Sequence, residues 1–127
     1  MKIENLVHGE AVTVAATAEL VSAARRMWRE DVGCLPVLCD GHLVGIISES
    51  DLVRAMAHGA DARKALVADH MSLEPKTISP TEDTQDAARL MASLHVRHLP
   101  VVDRAGRVVG VVSARDLANL EAWAAAR

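Results

Sequence analysis

The sequence predicts an α/β (α+β) fold made of two copies of one strand–helix–strand–strand–helix unit. Three observations carry that expectation. Residues 32–52 read VGCLPVLCDGHLVGIISESDL and residues 96–117 read VRHLPVVDRAGRVVGVVSARDL, nearly the same text twice. Upstream, Thr13-Val14 matches Thr77-Ile78, Ala24 matches Ala88 and Met27 matches Met91, each 64 residues on (77 − 13, 88 − 24, 91 − 27). Half of the 127 residues are apolar, yet Phe and Tyr are absent and Trp28 and Trp123 are the only aromatics. The core must therefore be built from Val, Leu, Ile, Met and Ala, which suits β/α packing. Repetition at this scale means two supersecondary units that bury faces together.

Each unit opens on a short strand, near Val12–Val14 and Thr77–Ser79, with Pro80 ending the second. A helix follows. Leu20, Ala23, Ala24, Met27 and Trp28 recur at helical spacing in the first copy, and Ala87, Ala88, Met91 and Leu94 in the second. Thr81, Asp83 and Thr84 supply capping choices before the second helix. Two strands come next. Leu35–Leu38 and Leu43–Ile47 flank Asp40-Gly41, a hairpin signal, and Leu99–Val102 and Val108–Val112 flank Asp103–Gly106. The offset grows to 65 from Gly45 and Gly110 onward (110 − 45), so the second turn holds one more residue. A last helix is expected over Ser50–His58 and again over Ala114–Ala126, and Ala62–Met71 as a short connecting helix. The implied organisation is a first repeat over 1–61, a connecting segment over 62–74 and a second repeat over 75–127.

Composition excludes several functions. Net charge is −3 with no basic run, which argues against a phosphate-tracking nucleic-acid surface. Two aromatics do not make a base-stacking platform. No apolar stretch approaches a membrane span, and MKIENLVHGE lacks the apolar region of a signal peptide. Cys34 and Cys39 are too few for a disulfide framework, so a reduced, cytoplasmic setting is the simplest reading. Cys34, Cys39 and His42 do not match common zinc spacings, and buried thiols acting as small hydrophobes are the ordinary explanation. There is no nucleophile with an adjacent base and orienting acid and no Gly-rich phosphate loop, so the chain is not expected to be an enzyme.

The doubled pattern, Leu-Pro-Val, then a glycine turn, then an apolar strand with an internal glycine, then Ser-x-x-Asp-Leu, resembles a tandem of cystathionine-β-synthase-type (CBS) domains, a Bateman module. The resemblance runs from about Val12 to Leu117. It implies two repeats related by a pseudo-two-fold axis, helices outside, adenosine-containing ligands in the clefts, and a disc-like homodimer.

Ser48–Asp51 and Ser113–Asp116 each stand where a strand ends and a helix begins. A carboxylate can accept from both hydroxyls of a ribose, a serine can reach the sugar or a phosphate, and a helix N-terminus points free N–H groups at an anion. The resemblance assigns these positions to the ribose. The same residues also read as a capping box, in which Ser and the acid serve each other's backbone amides. Both roles are compatible.

The resemblance also places the strand starts beside the ligand's phosphates and adenine. In the second repeat these are Arg97, His98, Leu99 and Pro100, with Arg115 inside the Ser/Asp box; in the first they are Cys34, Leu35 and Pro36 after Gly33, with Glu49 nearby. Arg97 and His98 suit a phosphate; solvated surface charge is the alternative reading for the arginines. The second cleft is therefore expected to prefer phosphorylated adenosines, and the first to be weaker, empty or suited to a less anionic ligand. Backbone groups at Thr13-Val14 and Thr77-Ile78 would meet adenine, core burial being the alternative. AMP, ADP, ATP, S-adenosylmethionine and NAD(H) are all candidates.

Three readings stand at this point: a regulatory module that senses an adenosine nucleotide and acts in trans on an effector protein; a ligand-free interaction or dimerisation module; and a thiol- or metal-responsive sensor through Cys34 and Cys39. Trp28, Trp123 and the Ala-rich tail are expected in the core or at a subunit interface, with Trp123 the best candidate for the latter.

Overall fold

The computed structural model describes residues 1–7 and 10–126; Arg127, the end of the expected second repeat, lies outside them. Two compact units result: Val12–Pro75, and Met1–Ala11 together with Lys76–Arg127.

The Val12–Pro75 unit holds β1 (Val14–Ala15), α2 (Leu20–Glu30), β2 (Cys34–Cys39), β3 (His42–Ser48), α3 (Glu49–Ala57), a 3₁₀ turn at Val67–Asp69 and β4 (Ser72–Leu73); α1 (Ile3–Leu6) precedes them in the chain and belongs to the other unit. The sheet order is β1-β2-β3-β4. β1 lies parallel to β2, and β3 pairs antiparallel with both β2 and β4. Asp40 and Gly41, with φ of 50° and 79°, make the two-residue turn between β2 and β3. Leu20, Ala23 and Met27 from α2, Leu35 and Val37 from β2, Ile47 from β3 and Leu52 and Ala55 from α3 form the core.

The other unit holds α1, α4 (Thr84–Leu94), β5 (His98–Val102), β6 (Val108–Ser113) and α5 (Ala114–Ala126). Its β5–β6 hairpin is closed by Asp103 N–H donating to the Arg107 carbonyl at 2.9 Å, leaving Arg104–Gly106 as a three-residue turn. That is one residue longer than Asp40-Gly41, which accounts for the offset change. Asp103 Oδ1 holds the turn by accepting from Ala105 and Arg107 N–H at 3.0 and 2.9 Å. The core is Ile3, Ile78, Ala87, Met91, Leu99, Val101 and Val112.

Several expectations need correction. The strand near Thr77–Ser79 is reduced to one parallel bridge, Ile78 to Val101. The connecting helix over Ala62–Met71 is only the 3₁₀ turn Val67–Asp69. β2 and β5 begin one residue earlier than expected, at Cys34 and His98, so Pro36 and Pro100 are their third residues. The Pro100 carbonyl accepts from Ile78 N–H at 3.0 Å, so pairing on that side starts at its carbonyl. No ladder bond is needed from the N–H that proline lacks. On α2, Ala24 is exposed and Trp28 is 89% exposed, and on α4 Ala88 and Leu94 are exposed. Helical spacing identifies the buried face correctly at Leu20, Ala23 and Met27, but the buried stripe is narrower than the apolar one.

Contacts of the chain's opening segments run across the expected divisions 1–61, 62–74 and 75–127. Lys2 bridges Asp83, and Leu66 bridges Glu19, two contacts that are themselves 64 residues apart (66 − 2, 83 − 19). Ile3 and Val67, again 64 apart, are both 0% exposed, Ile3 in the second core and Val67 in the first. Each repeat therefore contributes its opening segment to the core of the other repeat's unit. The segment over 62–74 serves as a structural part of the first unit through β4, and Met1–Val7 as part of the second.

Candidate functional site

In each repeat the hairpin brings the strand start to the helix start. Cys34 pairs with Ser48 across β2 and β3, and His98 with Ser113 across β5 and β6. The residue before each strand accepts from the first residue of the following helix: Gly33 carbonyl from Glu49 N–H at 3.0 Å, and Arg97 carbonyl from Ala114 N–H at 2.8 Å. The parallel neighbour completes the group, through Val14 opposite Val37 and Ile78 opposite Val101. So Thr13, Val14, Cys34, Leu35, Pro36, Ser48 and Asp51 gather in one unit. Thr77, Ile78, Arg97, His98, Leu99, Pro100, Ser113, Arg115 and Asp116 gather in the other.

Burial sorts these residues. Leu35, Leu99, Pro36 and Pro100 are fully buried, so their side chains belong to the core. Ile78 is 3% exposed and lies in the second core. Its N–H is already donated to Pro100 and its carbonyl already accepts from Val102 at 2.9 Å, so Thr77, which is exposed, is the freer backbone of that pair. Arg97 and Arg115 are exposed, and among the described residues neither has an ion-pair partner. His98 is half-buried on β5.

Both Ser/Asp pairs form the reciprocal box. Ser48 N–H donates to Asp51 Oδ2 at 2.8 Å and Asp51 N–H donates to Ser48 Oγ at 3.3 Å. Ser113 N–H donates to Asp116 Oδ2 at 2.9 Å and Asp116 N–H donates to Ser113 Oγ at 3.0 Å. The capping role is thus real at both helices. Arg54, one turn along α3, donates to Asp51 Oδ1 as a salt bridge. The sequence reading passed over Arg54. Its signal is the Asp-x-x-Arg spacing, which places both side chains on one helix face.

The two cysteines do not converge. They stand at opposite ends of β2, about 16 Å apart at the strand rise of ~3.3 Å per residue. Burial, aided by the negative charge of Asp51, pushes the Cys34 thiol up to about 12, which keeps it protonated and unreactive. Cys39 is exposed and faces His42 across the turn. Among the described residues no three His, Cys, Asp or Glu side chains gather as a metal site would need. Among them also, no helix is long and apolar enough to cross a membrane.

The family model for the CBS domain matches residues 3–58 and again 67–122. The chain belongs to the CBS-domain family. This CBS pair is 34% identical over 110 residues to the CBS domain-containing protein YhcV of Bacillus subtilis, covering 86% of this chain and 77% of that one. It is 30% identical to an inosine-5'-monophosphate dehydrogenase of Korarchaeum cryptofilum over 91% of its own length, but spans only 23% of that enzyme. Among solved structures, the CBS domain protein PAE2072 of Pyrobaculum aerophilum, complexed with AMP, superposes with a TM-score of 0.83 at 28% identity, over 92% of this chain and 90% of that one. The CBS domain pair of protein MJ0100, in complex with 5-methylthioadenosine and S-adenosyl-L-methionine, gives a TM-score of 0.88 at 25% identity and covers 96% of each chain. The fold expectation, an α+β tandem of CBS repeats, is met.

Proposed function

We propose that this CBS pair is a regulatory module that binds an adenosine-containing ligand and reports its occupancy to a separate effector protein. One observation carries the reading: in the second repeat a half-buried carboxylate, Asp116, stands at the N-terminus of α5, and the same unit holds the guanidiniums of Arg97 and Arg115, which have no ion-pair partner among the described residues. Carboxylate, helix N-terminus and cations are the groups that a ribose phosphate asks for. The AMP complex of the Pyrobaculum protein and the S-adenosylmethionine complex of MJ0100 support the ligand class. AMP, ADP, ATP, S-adenosylmethionine and NAD(H) are the compounds to test. Regulation requires that the ligand bind two states of the module with different affinity.

A homodimer is part of the proposal. Trp28, Val53 and Met56, on the packed pair α2 and α3, are 89%, 63% and 57% exposed, and Trp123 on α5 is 57% exposed. Large apolar side chains grouped on two helices mark an association surface. The cytoplasm is the proposed compartment, in keeping with two free cysteines.

The competing reading, a ligand-free interaction module, draws on the completeness of both capping boxes, which accounts for the Ser and Asp residues without any ligand. The thiol-sensor reading draws on Cys39 alone, since Cys34 is buried and protonated. A thermal-shift screen of nucleotide-free protein decides. A ligand at ~100 times its dissociation constant adds about 2.7 kcal/mol. A shift with an adenosine compound that disappears in Asp116→Ala supports the sensor; a flat screen overturns it and leaves the interaction module.

A further inference from the structure

The boxes Ser48–Asp51 and Ser113–Asp116 match in sequence but differ in what their carboxylates still offer. Asp51 is 7% exposed. Its Oδ2 accepts from Ser48 N–H at 2.8 Å and from the Ser48 hydroxyl at 3.1 Å, and its Oδ1 accepts from Arg54. A carboxylate has about four lone-pair sites, so about one remains. The two hydroxyls of a ribose need two. Asp116 is half-buried, and among the described residues only Ser113 N–H donates to it. About three of its sites remain open. The position matching Arg54 on α5 is Asn119, exposed and uncharged.

The surrounding charge follows the same division. Glu49 of the first box corresponds to Ala114 of the second, Ser50 to Arg115, and Gly33 to Arg97. Glu49 also leans over the strand start: a Cβ built on Gly33 would lie 3.5 Å from Glu49 Oε1. A phosphate at that point would meet a carboxylate, where in the second repeat it would meet guanidiniums.

We propose that the two repeats are unequal: Arg54 closes Asp51 to a ribose diol, and the second repeat alone takes a phosphorylated adenosine, one per chain. The inference rests on the nucleotide-sensing reading and adds its stoichiometry, its location and the residue that sets both. Arg54 acts by occupying the acceptor a ligand would use, and its own guanidinium is largely exposed, so it can be exchanged without opening the core.

Calorimetric titration of the nucleotide-free full chain with AMP and with adenosine tests it, using wild type, Arg54→Ala, Asn119→Arg, Asp51→Asn and Asp116→Asn. Wild type binds one AMP per chain. Asp116→Asn abolishes that binding and Asp51→Asn leaves it in place. Asn119→Arg reproduces the blocked state and weakens AMP by roughly tenfold or more, the worth of a charged hydrogen bond. Arg54→Ala gains a second site, seen with uncharged adenosine. Removing Arg54 strips a partner from a nearly buried carboxylate and can unsettle α3, whereas Asn119 is exposed, so Asn119→Arg keeps the test decisive. Two equal sites in wild type, dependence on Asp51 in place of Asp116, or an unchanged affinity in Asn119→Arg overturns the proposal while sparing the sensor reading. No binding in any variant overturns both.

Discussion

Val7 occupies the space that a side chain on Gly110 would need: a Cβ built there runs into Val7 Cγ1. The equivalent contact in the other unit is Met71 with Gly45, and Val7 and Met71 are themselves one repeat apart. Glycine is required at both points because the opening segment of one repeat lies directly on β3 or β6 of the other repeat's unit. Gly45→Ala would also bring a Cβ to 2.7 Å from the Ser72 carbonyl, which is backbone and cannot rotate away. We expect Gly45→Ala to cost about 1–3 kcal/mol in urea denaturation. Gly110→Ala should be partly rescued by Val7→Ala, since among the described residues the β-branched Val7 side chain is what opposes it. An additive double mutant would remove the contact as the cause.

Capping and ligand binding can be separated at the serines. Ser113→Ala should lower stability by about 1 kcal/mol. Ser48→Ala should cost more, about 1–2 kcal/mol, because the Ser48 hydroxyl also donates to the nearly buried Asp51. Urea midpoints read both values. Equal costs would mean that the extra hydroxyl bond contributes nothing.

The two thiols should differ sharply in reactivity. Cys39 is exposed; Cys34 is buried, with its thiol pushed up to about 12. A thiol reagent at pH 8 should label one cysteine in the folded chain and two in denaturant, with Cys39→Ser abolishing the native reaction. The raised value has a second consequence. In the unfolded chain Cys34 ionises near 9.0, while the folded state holds it neutral, so stability falls as pH rises through that interval. Cys34→Ala should lose less stability between pH 8 and pH 10 than wild type. Rapid labelling of two thiols in the native chain would contradict the burial of Cys34.

Asp83 caps α4, accepting from Gln85 N–H at 3.2 Å, and that bond, with help from the N-terminal ammonium, holds its carboxyl below the usual 3.8. A depressed carboxyl stabilises the fold above its unfolded value and ceases to do so as pH falls through its folded value. Asp83→Asn keeps a capping side chain but cannot titrate. Its urea midpoint should therefore drop less than that of wild type between pH 5 and pH 2.5. An identical drop would assign the acid sensitivity to other carboxylates.

A monomer–dimer measurement tests the exposed helix pair. Trp28→Glu should convert a sedimenting dimer to monomer at micromolar concentration without lowering the helical circular dichroism signal. A wild-type chain that sediments as a monomer would remove the homodimer from the proposal.

Local chemistry made much of this molecule readable in advance. The duplicated Leu-Pro-Val and Ser-x-x-Asp segments, the Asp-Gly turn and the spacing of Leu20, Ala23 and Met27 act over a few residues, through alternation, turn geometry and helical period, so they yielded both hairpins, the helices that flank them and the family. The one-residue offset even located the longer turn, expected over Asp103–Gly106 and found at Arg104–Gly106. Other features depend on contacts between distant residues. Ile3 enters the second core 75 positions before Ile78 (78 − 3), and no local pattern announces a four-residue helix whose one buried side chain is Ile3. Trp28 keeps helical register with the core yet stands in solvent, because register fixes which face a residue lies on and not whether another part of the chain covers it. The unequal charges around the two Ser-x-x-Asp boxes are visible in the sequence, but that Arg54 occupies Asp51 Oδ1 is decided only when α3 is folded against β3. Short-range periodicity is written in each segment, whereas burial and charge pairing are properties of whatever the rest of the chain brings alongside.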